Sequence, residues 1–167
     1  MRIDAGEFLV RFKIDSCWYS NVSASNYPEY TAISDLADSH HVDLFALTET
    51  WITSYATSAE LRNATPSGFS LINCPRPAPA TNSHIVGGGT AFLVREPAFI
   101  LKTPPSQTFK SFEMSSVTLK LFNSKLTVFN IYRPPPANTT TRKAVPFSLF
   151  LTEFDSLLSL AATIPHE

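Results

Sequence analysis

Apolar and polar residues alternate from Phe8 to Ile14, with Phe8, Val10, Phe12 and Ile14 on one face and Arg11 and Lys13 on the other. Period-two alternation of this kind predicts a strand. Pro28 suits the opening of a helix, and Tyr30, Ile33, Leu36 and Ala37 follow at helical spacing. Val42 to Leu47 is a nearly continuous apolar run with one Asp, as expected of a buried strand. Phe69 to Cys74, ended by Pro75, is a short strand candidate, and so is Thr90 to Val94, entered through Gly87-Gly88-Gly89. Val117, Leu119 and Leu121 alternate with Thr118 and Lys120, Asn123-Ser124 turns the chain, and Leu126 to Tyr132 returns, which predicts a β-hairpin. Pro134 to Pro136 stop the second strand, because proline cannot donate to a ladder. After Pro146, residues Phe147, Phe150, Leu151, Phe154, Leu157, Leu158 and Ala161 form a wide apolar stripe at helical spacing. The pattern predicts an α+β or layered α/β domain on a mostly antiparallel sheet. The final helix presents an apolar face with nothing after it to cover it, so the domain is expected to be incomplete at its C-terminus.

Composition narrows the class. The chain has 167 residues, 44% hydrophobic and 16% charged, which suits one globular domain and not a disordered segment. No apolar run approaches the ~18 residues of a membrane-spanning helix, so no membrane partner is expected. The first residues carry two acids before any apolar stretch and do not resemble a secretory signal. Cys17 and Cys74 are too few for a disulfide framework or a cysteine-based zinc site. The net charge of −1 hides an uneven distribution. Residues 1–60 hold 3 basic and 9 acidic side chains, residues 61–145 hold 10 and 2, and residues 146–167 hold none and 3. The basic middle suits a polyanion, and it equally suits solvated loops.

Two places can carry chemistry. Glu49 lies just past a buried strand, where a rigid element positions its carboxylate as a ligand for a hard cation or as a general base. The same place suits a solvated loop glutamate. Tyr132-Arg133-Pro134-Pro135 ends another strand, and a phenol with an Arg fork suits a phosphate, though it also suits an ordinary strand terminus. The glycine triplet matches neither phosphate-loop pattern and reads as a turn with positive φ. No nucleophile elbow of the Gly-x-Ser-x-Gly type occurs. No Pro-x-x-Pro occurs among the 13 prolines, which removes the usual basis for reading the chain as a proline-recognition ligand.

Together these features form an ordered set. The string Asp43-Leu44-Phe45-Ala46-Leu47-Thr48-Glu49-Thr50-Trp51-Ile52 is followed by Gly68-Phe69-Ser70, then Gly87-Gly88-Gly89-Thr90-Ala91, then Phe112-Glu113 and a hairpin ending in Tyr132-Arg133-Pro134-Pro135. Over residues 28–162 the set resembles the endonuclease/exonuclease/phosphatase superfamily. In particular it resembles the apurinic-type endonuclease domain of non-LTR (LINE-like) retrotransposons. The resemblance implies a DNase I-like fold, a two-sheet β-sandwich flanked by helices. It implies Mg²⁺-assisted hydrolysis of a DNA phosphodiester, with no organic cofactor, and an intracellular, nuclear setting where chromosomal DNA is the substrate. By motif, Glu49 corresponds to the metal-binding glutamate and Tyr132 to the tyrosine beside the scissile phosphate, with Arg133 as a substrate-binding neighbour. Asn21 is the nearest counterpart of the asparagine that supports the metal.

The resemblance divides the chain into a divergent N-terminal strand and loop at 1–27 and an N-terminal half-domain at 28–167. Family members continue into a strand, a Gly-Asp-x-Asn motif, a further Asp and a Ser-Asp-His terminus. The chain is therefore expected to be a truncated member without activity by itself. The alternative is a non-catalytic, decayed retroelement fragment with at most weak nucleic-acid binding.

Overall fold

In the computed structural model of the chain, the described residues are 10–12, 35–36, 39, 41–76, 88–102, 108–120, 124–134 and 145–164. They form two β-sheets and two complete helices, an α+β arrangement. The first sheet contains β1 (Val10–Phe12), β2 (Leu44–Thr48), β3 (Phe69–Cys74) and β4 (Thr90–Arg95), in the order β1-β2-β4-β3. β1 runs parallel to β2, and the other two pairings are antiparallel. The second sheet is an antiparallel meander of β5 (Phe99–Lys102), β6 (Glu113–Lys120) and β7 (Lys125–Tyr132). The helices are α1 (Ser58–Asn63) and α2 (Phe147–Ala162).

Strand alternation builds the layers, because successive side chains point to opposite faces. Leu44 and Ala46 of β2 and Phe92 and Val94 of β4 face Val117 and Leu119 of β6 and Val128 of β7, forming the core between the sheets. The opposite parity of the first sheet, Phe45 and Leu93, packs with Val42, Phe69 and Leu36. Asp35, Leu36 and Ser39 are helical, and the rest of the helix expected after Pro28 lies outside the described residues. The opposite parity of the second sheet, Phe129 and Ile131, packs with Met114, Phe112 and α2. Each sheet is therefore covered on both faces, and the core requires both.

The expected strands at 69–74 and 90–94 and the hairpin appear close to their expected bounds. Of the strand expected over 8–14, only Val10–Phe12 is described. Two elements were not expected. One is the four-residue β5. The other is α1, although its start carries a legible signal: Thr57 Oγ1 accepts from the Glu60 amide, and the Glu60 carboxylate accepts from the Thr57 amide. This reciprocal cap satisfies two amides that the first turn leaves unpaired. The hydrogen bond from the Thr57 amide is the main reason the Glu60 carboxyl titrates below its usual range.

The stripe of α2 divides on docking. Leu157 is 2% exposed and Phe150 and Phe154 are half-buried against Phe112, whereas Phe147, Leu151 and Leu158 are exposed. Glu153 orients the helix, because its carboxylate accepts from the amides of Lys110 and Ser111 and from the Ser111 hydroxyl. Burying one side chain of a consecutive pair and exposing the next gives a direct test. Leu157→Ala is expected to lower unfolding stability by about 2–5 kcal/mol, and Leu158→Ala by no more than about 0.5 kcal/mol, in urea titrations. Equal losses would contradict this seating of the helix.

Candidate functional site

The C-terminal end of β2 meets the C-terminal end of β7, and the site forms there. Past Thr48 the backbone turns sharply, with φ of 55° at Glu49 and 56° at Trp51. These are left-handed values, uncommon for side chains of this size, so the turn needs support from its surroundings. Gly88 and Gly89 provide it. The amides of Thr50 and Trp51 donate to the carbonyls of Gly89 (3.2 Å) and Gly88 (2.8 Å). The Glu49 carboxylate accepts in return from the Gly88 amide (2.9 Å) and the Trp51 indole (3.1 Å), both on Oε2. Both glycines hold positive φ, 85° and 87°, as the turn reading of the triplet requires. Gly87 lies outside the described residues.

A second carboxylate comes from the other sheet. Glu113 opens β6 and is the cross-strand partner of Tyr132 on β7. Its Oε2 accepts from the Gly89 amide (2.6 Å), and its Oε1 pairs with Nε of Arg76, just past β3. The same guanidinium lies 3.7 Å from Glu49 Oε1 through Nη2. Arg76, Glu49 and Glu113 are about one-seventh exposed or less, with side-chain values of 14%, 12% and 15%. Charges so withdrawn from water have to be paired, and Arg76 pairs both.

Tyr132 completes the cluster. Its phenol is pushed well above the ordinary tyrosine range, first by burial and then by its hydrogen bond to Glu49 and the nearby negative charge of Glu49 and Glu113. It is thus a hydrogen-bond donor at any ordinary pH. Cys74, at the end of β3, is a free thiol whose pKa is also raised, chiefly by burial.

Glu49 and Tyr132, expected to act together, lie near enough for Glu49 to raise the Tyr132 pKa. Arg133 goes elsewhere: its guanidinium lies over the rings of Phe147 and Phe150 at 5.1 and 5.3 Å, a cation–π contact with α2. Asn21 and Cys17 lie outside the described residues. Glu113 is legible in the sequence only as part of the Phe112-Glu113 pair, and Arg76 has no motif. Pro75-Arg76 directly after a strand was its one visible signal. Among the described residues no group of three or more His, Cys, Asp or Glu is placed to hold a metal ion. The two facing carboxylates hold a guanidinium, so the residues in this arrangement do not fit Mg²⁺. No protein-family model matches the chain, and no curated protein matches it.

The Tyr132 shift has a consequence at high pH. A phenol ionises near pH 10 in the unfolded chain and later in the folded one. The unfolded state therefore loses this proton first, and the stability the group contributes is complete below about pH 10 and lost as pH rises beyond it. Tyr132→Phe is expected to flatten the alkaline fall of unfolding stability above about pH 10. An unchanged slope would show that Tyr132 titrates normally.

Proposed function

We propose that the chain carries part of a DNase I-like phosphodiester hydrolase of the retrotransposon-endonuclease class, with DNA as the polymer it evolved to contact. The observation that carries this reading is that different sheets bring Tyr132 near enough to Glu49 for the carboxylate to raise the phenol's pKa. A carboxylate at a strand exit beside a protonated phenol is suited to phosphate chemistry. The phenol can donate to a phosphoryl oxygen, and such donors stabilise charge that builds up in the transition state. The basic excess of residues 61–145 supplies the electrostatic term that a DNA backbone requires.

Activity is a separate matter. In the family reading Mg²⁺ would be the ion associated with Glu49, but here Arg76 pairs with that carboxylate and no further acidic ligand among the described residues joins it. Residues of a catalytic set act as a unit, so two of them do not supply a proportionate share of the rate. The chain by itself is therefore read as non-cutting, and the paired state of Glu49 favours the second reading, a non-catalytic fragment with weak nucleic-acid affinity. Supercoiled plasmid incubated with the chain and Mg²⁺ is expected to remain supercoiled. Nicking that Glu49→Ala abolishes would contradict the non-cutting assignment while supporting the phosphodiesterase one. DNA binding that fails to weaken as salt rises would count against the backbone contact.

A further inference from the structure

We propose that the hairpin end of the second sheet, marked by Lys102, Lys120 and Lys125, is a docking surface for the phosphate backbone of a nucleic acid, separate from the Glu49–Tyr132 cluster. This location rests on the DNA reading given above and adds to it where the polymer is held. The fold distributes the basic excess of the sequence unevenly. Of the ten basic residues in 61–145, Arg142 and Lys143 lie outside the described residues. Three arginines are taken up inside the fold. Arg76 pairs with Glu113 and Glu49. Arg95 pairs with Asp43, donates to the Val42 carbonyl and lies over the Phe69 ring. Arg133 lies over Phe147 and Phe150. Five remain. Arg62 is on α1, Lys110 lies beside Glu153, and Lys102, Lys120 and Lys125 share one end of one sheet.

Lys120 and Lys125 are direct cross-strand partners, and both are exposed. Like charges placed opposite each other oppose strand pairing, so the sheet itself gains nothing from them. Val117, Leu119 and Val128 face the core between the sheets, so Thr118, Lys120, Lys125 and Thr127 stand on the other face. That outer face changes character along its length. Met114, Phe129 and Ile131 pack with α2. Thr118 and Thr127 come next, with their hydroxyls 2.9 Å apart, and the lysine pair is last. A bulge brings β5 into the same arrangement. The register shift after Ile100 pairs Lys102, not Leu101, with Thr118, and a bulge of this kind changes which residues share a face. The three strands contain one acid, Glu113, and it is engaged by Arg76 at the opposite end. Cations and hydroxyls grouped in this way match a phosphate backbone, whose oxygens accept from both. Glu113 and Lys120 are the two ends of the eight-residue β6, about 23 Å apart along the strand. A nucleic acid held at the lysine end is therefore held away from Glu49, which suits a chain that binds without cutting.

The test is fluorescence polarisation of a labelled DNA duplex titrated with the whole chain between about 50 and 200 mM salt. Affinity is expected to fall steeply over that range. In a Lys120→Gln, Lys125→Gln double variant the fall is expected to be about twelvefold smaller, because each lost phosphate contact lowers the logarithmic salt slope by about 0.9. Either substitution alone is expected to make the fall about 3.5-fold smaller. The charge-conserving Lys120→Arg, Lys125→Arg variant is expected to keep the steep slope. All of these variants are expected to unfold at no lower urea concentration than the parent, since both side chains are exposed. A folded double Gln variant with the parent's affinity and slope would overturn the proposal and leave the DNA reading of Glu49 and Tyr132 standing. A parent chain that does not bind the duplex at about 50 mM salt would overturn both. Vesicles containing phosphatidylserine are the second probe. Lysine-dependent binding to these vesicles, without binding to the duplex, would overturn the nucleic-acid assignment in favour of an anionic lipid surface.

Discussion

One buried amide sets the height at which the two sheets meet. Asn130, on the inward face of β7, donates from Nδ2 to the carbonyls of Leu47 (2.7 Å) on β2 and Ala91 (3.3 Å) on β4. It is 5% exposed and lies on the same face of β7 as Val128 of the inter-sheet core. Apolar packing between sheets is non-directional and would tolerate sliding, whereas a buried amide has to find its partners. Leu47 stands two residues before Glu49, and Asn130 stands two before Tyr132. The clamp therefore brings the two strand ends opposite each other. A second polar contact, Thr90 to Ser115 at 2.8 Å, ties β4 to β6 near the same end.

The cluster beyond this clamp is costly by nature. It withdraws two carboxylates and a guanidinium from water and twists the backbone into left-handed values at Glu49 and Trp51. Donors from both sheets and from Gly88 and Gly89 satisfy the charges. Such concentrated strain and charge is typical of places built for chemistry or ligand exchange. The apolar layers on either side give the turn its fixed frame.

Much of the framework was legible in the chain. Short apolar runs bounded by Pro75 and by the glycine triplet locate β3 and β4, and alternation with a turn at Asn123-Ser124 locates the β6–β7 hairpin. The capping box at Thr57 and Glu60 was visible but lay in a polar stretch with no apolar stripe, so α1 went unmarked. The α2 stripe forms a single wide face in the sequence, yet docking buries Leu157 and exposes its neighbour Leu158. Its width alone could not say which part met Phe112. Glu49 and Tyr132 stood out by their strand-end positions. Arg76 and Asn130 did not, because a role that consists of bridging two sheets has no local periodicity. Arg133 belonged to the same motif as Tyr132, but it takes an aromatic partner on α2 rather than the cluster.

The central claim is that Glu49 and Tyr132, carried by separate sheets, touch in the folded chain. A double-mutant cycle in unfolding stability with Glu49→Ala, Tyr132→Phe and the double variant tests it most directly. Residues in contact couple, and the account predicts an interaction energy of at least about 0.5 kcal/mol. Losses that add to within about 0.3 kcal/mol would mean that the two side chains do not meet, and would contradict the site.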